Sequence, residues 1–405
     1  MFTALRQPRQ YLPVFFCVGL ALFYLYESLL RVMPSVIGEE IRQAYQLSFL
    51  SFGAICASYY LLYVPLQLVA GVLVDRYHLM YLMIVALLLC AGGCCLFANA
   101  YSFWLATLGR MMMGVGAAFV FVTILKAICV RLPLRHFTFY LGIIICVGML
   151  GGWMMDCALI FFMKAWGWRL MCYLLATLGI IFVIWHSSFR HPSSKKHREN
   201  HPTFSLKHDF FQLKEYLLNT TLLIQCIIGA LLYLPIVGFA ESWGIGFLKQ
   251  TRYFSQEIAA LQMSLLFLGF AIGAPIVGWV YDRTGLHQLI LTMGAVGVTI
   301  LLSIVLYVPD LSVADLSVFL SLLGFFSSSL VVVLSLTRQM VPKQHVGKVF
   351  GIVNFIMLLA SSVTWLIGWL MHLLMMSPMN HYQLAFIILP CGSLGAVILS
   401  YFVRE

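Results

Sequence analysis

Twelve long apolar runs, separated by mostly short polar connections, constrain this chain more than any other feature. They fall at about 13–36, 48–73, 79–99, 102–126, 137–163, 168–187, 219–247, 256–280, 286–308, 314–337, 349–375 and 383–403. An α-helix needs about 20 apolar residues to cross the hydrocarbon of a bilayer, and each run has about that length. Backbone inside lipid must satisfy its own hydrogen bonds, which leaves helices or closed barrels, and runs this long fit helices. Charge content agrees. Only 9% of the 405 residues are charged and 62% are hydrophobic, whereas soluble chains carry roughly 25% charged residues. That is too little charge to cover a water-facing surface, so most of the surface faces lipid. The first run follows a polar, basic segment, is longer than a signal-peptide core and has no small-residue cleavage site before Pro34. It reads as a span rather than a leader.

The formal net charge of +10 would suggest a nucleic-acid partner in a soluble chain. Here the basic residues sit mainly in the connections, where they set orientation, so no nucleic-acid partner is expected. With the N-terminus inside, the inner connections and tails hold sixteen Lys or Arg. The outer ones hold Arg42, Lys164, Arg169, Lys249 and Arg252, and Arg31, Arg110 and Lys126 lie within spans. This asymmetry predicts that both termini are cytoplasmic. The long connection 188–218, with Arg190, Lys195, Lys196, Arg198, Lys207 and Lys214, reads as a cytoplasmic linker between bundles at 1–187 and 219–405. The cysteines lie almost entirely in apolar runs without zinc-site spacing and read as helix-packing residues. No metal or cofactor is expected.

An internal repeat divides the chain in two. The segment GVLVDR at Gly71–Arg76 returns as GWVYDR at Gly278–Arg283, with Asp75 and Asp282 207 positions apart. Arg131–Gly142 parallels Met340–Gly351 at an offset of 209. Two motif pairs at nearly one offset mean two six-helix halves related in parallel, the layout of many secondary transporters. An Asp-Arg pair marks the membrane exit of a helix, because it cannot sit in hydrocarbon. Gly71 and Gly278 would let a neighbouring helix approach closely. Asp75 and Asp282 can accept hydrogen bonds from a helix N-terminus across the interface, and breaking that contact would favour one access state.

Charged residues inside the spans come next. Tyr24, Glu27 and Arg31 are spaced to share one face of the first span. Taking the span centre near Phe23, Glu27 lies about 6 Å outward and Arg31 about 12 Å. Arg31 is then able to snorkel to the interface, while Glu27 is too deep for that. Glu27 either faces a cavity or forms a structural pair with Arg31. Glu27, Asp156 and Glu241 against Arg31, Arg110 and Lys126 suggests internal pairing, with Lys126 close enough to the cytoplasmic end to snorkel. Arg110 serves either coupling and anion contact, or a structural role satisfied by backbone carbonyls.

With these motifs in view, the whole chain resembles the major facilitator superfamily. Its loop signature G-x-x-x-D-R-x-G-R is similar to both repeat copies, and the resemblance implies a gating role for Gly71, Asp75, Arg76, Gly278, Asp282 and Arg283. The first copy departs at Tyr77, His78 and Leu79, and the second keeps Gly285. Arg110, Gly114, Gly116, Ala117 and Ala118 resemble the family's R-x-x-x-G-x-G-A-A motif. In the fifth span Val147-Gly148 replaces the Gly-Pro of the drug-antiporter signature ahead of Gly151-Gly152, which argues against a multidrug exporter. The stretch YESLLRVMPS, with the SYYLLYVPLQLVAGVLVDR that follows, resembles a proteobacterial branch that includes intraphagosomal amino-acid transporters. The resemblance implies an all-α integral membrane fold of twelve transmembrane helices in two pseudo-symmetric six-helix bundles. It implies a central cavity lined by spans one, four, seven and ten. Tyr24, Glu27, Arg31, Arg110, Asp156, Glu241, Ser328, Ser329 and Asn354 are the substrate or coupling candidates. The expected partners are a small polar solute such as an amino acid, protons and the lipid bilayer, for a monomer in the bacterial inner membrane. The sequence carries no P-loop, HExxH or GxSxG motif, so an enzyme is not expected. Export of a metabolite, siderophore or drug is the rival reading, and a non-transporting membrane sensor a third.

Overall fold

A computed structural model describes residues 12–131, 134–188, 214–342, 345–374 and 381–403. The tails and most of the linker, including Arg190, Lys195, Lys196, Arg198 and Lys207, lie outside the described residues. Among the described residues, twelve helices are long and apolar enough to cross a membrane. They are α1 (Val18–Tyr45), α2 (Phe49–Arg76), α3 (Leu79–Ala98), α4 (Phe103–Cys129), α5 (Phe137–Trp166) and α6 (Trp168–Ser188) in the first half. The second half has α7 (Thr220–Ala240), α8 (Gln256–Thr284), α9 (His287–Tyr307), α10 (Val313–Gln339), α11 (Val346–Leu374) and α12 (Tyr382–Ser400). We call the face where α6 ends and α7 begins the linker face, and its opposite the far face.

Local chemistry sets the helix starts. Ser48, Ser102, Asn219, Ser255 and Ser312 each precede a span and accept the backbone N–H three residues on, satisfying one of the orphan donors of the first turn. The two repeat motifs end their helices differently. Gly285 caps α8 in the left-handed region at φ +70°, whereas Tyr77 leaves α2 in extended backbone. A left-handed cap favours glycine, which accounts for the glycine in one copy and its absence from the other.

The first span corrects the sequence reading. Its helix begins at Leu12 and runs unbroken to Tyr45, past the expected end near 36, with Pro34 inside it. Proline has no N–H, so it leaves the carbonyl four residues back, that of Leu30, without its helical partner. Arg110 of α4 fills the gap: its Nη1 donates to Leu30 O at 2.6 Å. The longer helix also places Glu27 and Arg31 near its middle. Arg31 is therefore buried, at 4% exposure, and does not snorkel.

Each half packs α1–α6 or α7–α12 in matching pairs: α2 on α4 as α8 on α10, and α3 on α6 as α9 on α12. The halves meet along α5–α8 and α2–α11. Tyr101, Trp104, Trp166, Tyr253 and Tyr401 are exposed at helix ends, as in the aromatic belts of membrane–water interfaces.

Candidate functional site

At the linker face the repeat motifs engage each other crosswise. Asp75, ending α2, accepts hydrogen bonds from Gly347 N (3.2 Å) and Lys348 N (3.0 Å) at the start of α11. Asp282, ending α8, accepts from Thr138 N (3.3 Å) and Phe139 N (2.9 Å) at the start of α5. Each carboxylate thus sits on the positive end of a helix in the other half. The motif glycines permit the approach. A Cβ on Gly71 would lie 2.6 Å from Gly347 O, and one on Gly278 2.5 Å from Thr138 O. The two latches differ in one charge. Lys126 of α4 reaches Asp75 at 2.9 Å and donates to Val74 O at 2.7 Å, so it is an ion-pair partner and not a snorkelling residue. Arg283 lies over the ring of Trp279, one turn back on its own helix, at 4.1 Å.

The deepest charges form a cluster around Arg31. Its Nε lies 3.0 Å from Glu241 Oε1, across the interface between halves, and its Nη1 lies 3.8 Å from Glu27 Oε1. Arg31 Nε makes no well-directed hydrogen bond, so the approach is mainly coulombic. Tyrosines complete the cluster. Tyr59 donates to Glu27 Oε1 at 2.7 Å, Tyr60 donates to Glu241 Oε2, and Tyr233 donates to Glu241 Oε1 at 3.2 Å. Glu241 follows a π-helical stretch, Pro235–Ala240, a distortion often found at functional positions. Arg110 lies 4.7 Å above the Tyr59 ring, and its carbonyl bond to Leu30 holds α4 against α1.

The expected three-against-three charge balance is therefore not what the fold builds. Lys126 belongs to the linker-face latch. Asp156 sits in a π-turn of α5, Met155–Leu159, beside the Ser35 hydroxyl at 3.0 Å, with no ion pair among the described residues.

A small central cavity, with about 40 Å³ open to the centre of a water molecule, adjoins the Arg31 cluster. It has room for two or three waters. Tyr24, Arg31, Phe121, Tyr233, Leu330 and Leu334 bring α1, α4, α7 and α10 to its wall. Tyr63, Met149 and Phe270 add α2, α5 and α8, and Asn354, a candidate from the sequence, adds α11. Ser328 and Ser329 do not line it. Each donates to a carbonyl of its own helix (Phe325 and Phe326), and they pack toward Gly273 and Gly294. Above the cavity, at the far face, the halves also touch. Trp243 stacks edge-on against Phe52 at 5.5 Å and donates to Thr364 O at 3.0 Å. Gln256 donates to Val36 O at 3.0 Å, and Lys164 pairs with Glu257.

Tyr59, Tyr60, Tyr63 and Tyr233 were missed as site residues. A signal existed in the SYY-x-x-Y spacing, which puts three hydroxyls inside one span, but tyrosine is also an ordinary packing residue.

The known proteins that this chain matches agree with that architecture. It is similar in structure to a bacterial homolog of the human lysosomal transporter Spinster in its inward-facing and occupied conformation. The TM-score is 0.73 with 14% identity over 97% of each chain. The same homolog in its inward-facing and unoccupied conformation gives a TM-score of 0.66 with 14% identity, over 98% of this chain and 95% of that one. Likeness at that identity is one of fold. No curated protein sequence matches significantly. The family model of the Major Facilitator Superfamily matches residues 14–364 and 232–405. With twelve apolar helices in two related bundles around a buried polar cluster, this chain belongs to the Major Facilitator Superfamily and is a membrane transporter that works by alternating access.

Proposed function

We propose that the protein imports an amino acid or a similarly small polar nutrient across the bacterial inner membrane, driven by protons. One observation carries this reading: Arg31 is held between Glu27 and Glu241, and the second contact joins the two halves. A zwitterion needs a cation and an anion at close quarters, and this cluster supplies both. A substrate carboxylate that takes Arg31 displaces Glu241 and releases the contact between α1 and α7. Glu27, left without its cation at a buried position, then becomes a proton acceptor. Substrate binding, proton uptake and movement of the halves are linked through one guanidinium. The working unit in this reading is a monomer, and the basic linker face is cytoplasmic by the positive-inside rule.

The test uses labelled amino acids and purified protein in proteoliposomes. We expect counterflow exchange, and accumulation when a proton gradient is imposed. Glu27→Gln should abolish accumulation and keep some exchange. Accumulation that stays pH-dependent at the normal level in Glu27→Gln would refute Glu27 as the coupling group. Efflux from loaded vesicles without accumulation would favour export of a metabolite, siderophore or drug instead.

A further inference from the structure

We propose that Asp156 binds a proton in this closed state, and that Ser35 connects it to a crevice on the far face. The argument begins with the hydrogens. Ser35 Oγ lies 2.8 Å from Val32 O and 3.0 Å from Asp156 Oδ1. A hydroxyl has one hydrogen and two lone pairs. The one serine hydrogen can serve Val32 O or Asp156 Oδ1, but not both fully. Both contacts are satisfied together when Oδ1 carries a hydrogen and donates it to Ser35, leaving the serine hydrogen to Val32 O.

The surroundings point the same way. Asp156 is wholly buried, and its Oδ2 has no hydrogen-bond partner among the described residues. On α1, Arg31 is taken by Glu241 and Glu27, and Glu39 and Arg42 pair with each other at 3.8 Å. Glu40 accepts from Gln256 of α8 at 3.2 Å. Glu257 of α8 pairs with Lys164, further along α5, and Lys249 reaches Gln256. Glu241, itself a carboxyl group, is the ionisable side chain near Asp156 across the interface, and Cys157 is the thiol beside it. An ionised Asp156 would be a buried anion without a cation, a state that costs several kcal/mol after relaxation. A protonated one is a neutral donor with an acceptor in place.

Ser35 also lines the far-face crevice, which has about 60 Å³ open to water centres and shares its wall with Ser242, Glu39, Arg42 and Gln256. That is room for a few waters. Proton release is then a balanced relay. The Ser35 hydroxyl turns its hydrogen from Val32 O to a crevice water; the Asp156 O–H breaks as a new O–H forms on Ser35, and the hydrogen Ser35 held passes to that water. One proton leaves and a carboxylate remains; the reverse steps load it. The assignment of the proton stands on this geometry alone, while its use in driving transport rests on the proton-coupled reading above.

The test needs no substrate. Infrared spectra of the full-length protein in lipid vesicles at neutral pH should contain a protonated-carboxyl C=O band. Aspartate carrying ¹³C in the side-chain carboxyl should move that band in the wild type, whether or not any variant folds. The band should vanish in Asp156→Asn and persist in Glu27→Gln. Its downshift on transfer to D2O should slow in Ser35→Ala and recover in Ser35→Thr. A band that ignores the label, survives Asp156→Asn or is absent from wild type overturns the protonated state. An unchanged exchange rate in Ser35→Ala overturns the serine link. Failure of proton-driven accumulation with the aspartate band in place would refute the transport reading and leave this one standing.

Discussion

Glu241→Gln is the most informative single change. The side chain keeps its shape and loses its charge, so the ion pair with Arg31 at 3.0 Å goes, as does one acceptor for Tyr60 or Tyr233. The tyrosine hydrogen bonds to a charged Glu241 contribute about 1.5–3 kcal/mol where bonds to a neutral acceptor contribute about 0.5–1.5, so neutralisation removes roughly 1–2 kcal/mol even before the coulombic loss at Arg31. We expect Arg31 on α1 and Glu241 beyond α7 to stay together only while the far face is shut. The closed-to-open ratio should therefore fall about 5- to 30-fold, at 1.4 kcal/mol per factor of ten. Glu241→Ala leaves Arg31 with Glu27 alone at 3.8 Å, a loss of about 3 kcal/mol and a shift beyond about 100-fold. Lys164→Ala is the contrast. That lysine is 69% exposed, and an exposed pair is worth about 0–1 kcal/mol, so the ratio should move less than about fivefold. Single-molecule energy transfer reads the ratio directly, with dyes on non-natural amino acids at Ala44 and Gln250, which are exposed on opposite halves of the far face. If Glu241→Gln and Glu241→Ala both fold and both keep the wild-type distance distribution, the ion pair does not hold the far face shut.

The linker-face latches give a ranking. Motif preservation alone puts Asp282 first, but Asp75→Asn also strips Lys126 of its carboxylate, so it should slow transport more than Asp282→Asn; adding Lys126→Met should recover part of that loss. Equal effects of the two single changes in a transport assay would remove Lys126 from the gate. Gly71→Ala and Gly278→Ala drive a methyl into a carbonyl of the opposite half, an overpacking cost of about 1–3 kcal/mol borne only by the closed linker face. Dyes at Tyr77 and Leu286 should then report a wider linker face, and a wild-type distance would refute the close-approach role. A reporter fused after Glu405, or placed within 188–218, should read cytoplasmic; a periplasmic signal at either place would overturn the orientation.

The sequence alone determined the number of spans, the two-fold repeat and the pairing logic of the gate. These depend on chemistry local to the chain. Apolar runs insert, serines and Asn219 cap the helix that follows them, and a duplicated motif keeps its offset, so Asp75 and Asp282 find helix starts that are themselves 209 positions apart. The tertiary structure decided who satisfies each buried charge. Read along α1, Arg31 belongs to Glu27 one turn away, yet its closer partner is Glu241 from the other half. Arg110 answers a carbonyl freed by a proline on another helix, and Lys126 answers an aspartate 51 positions earlier. Asp156 meets a serine and, among the described residues, no cation, while Ser328 and Ser329, polar by composition, bond within their own helix and leave the cavity to tyrosines. Buried electrostatics falls off with distance through space, and helices far apart in the chain set that distance by how they pack. No spacing along the sequence encodes it.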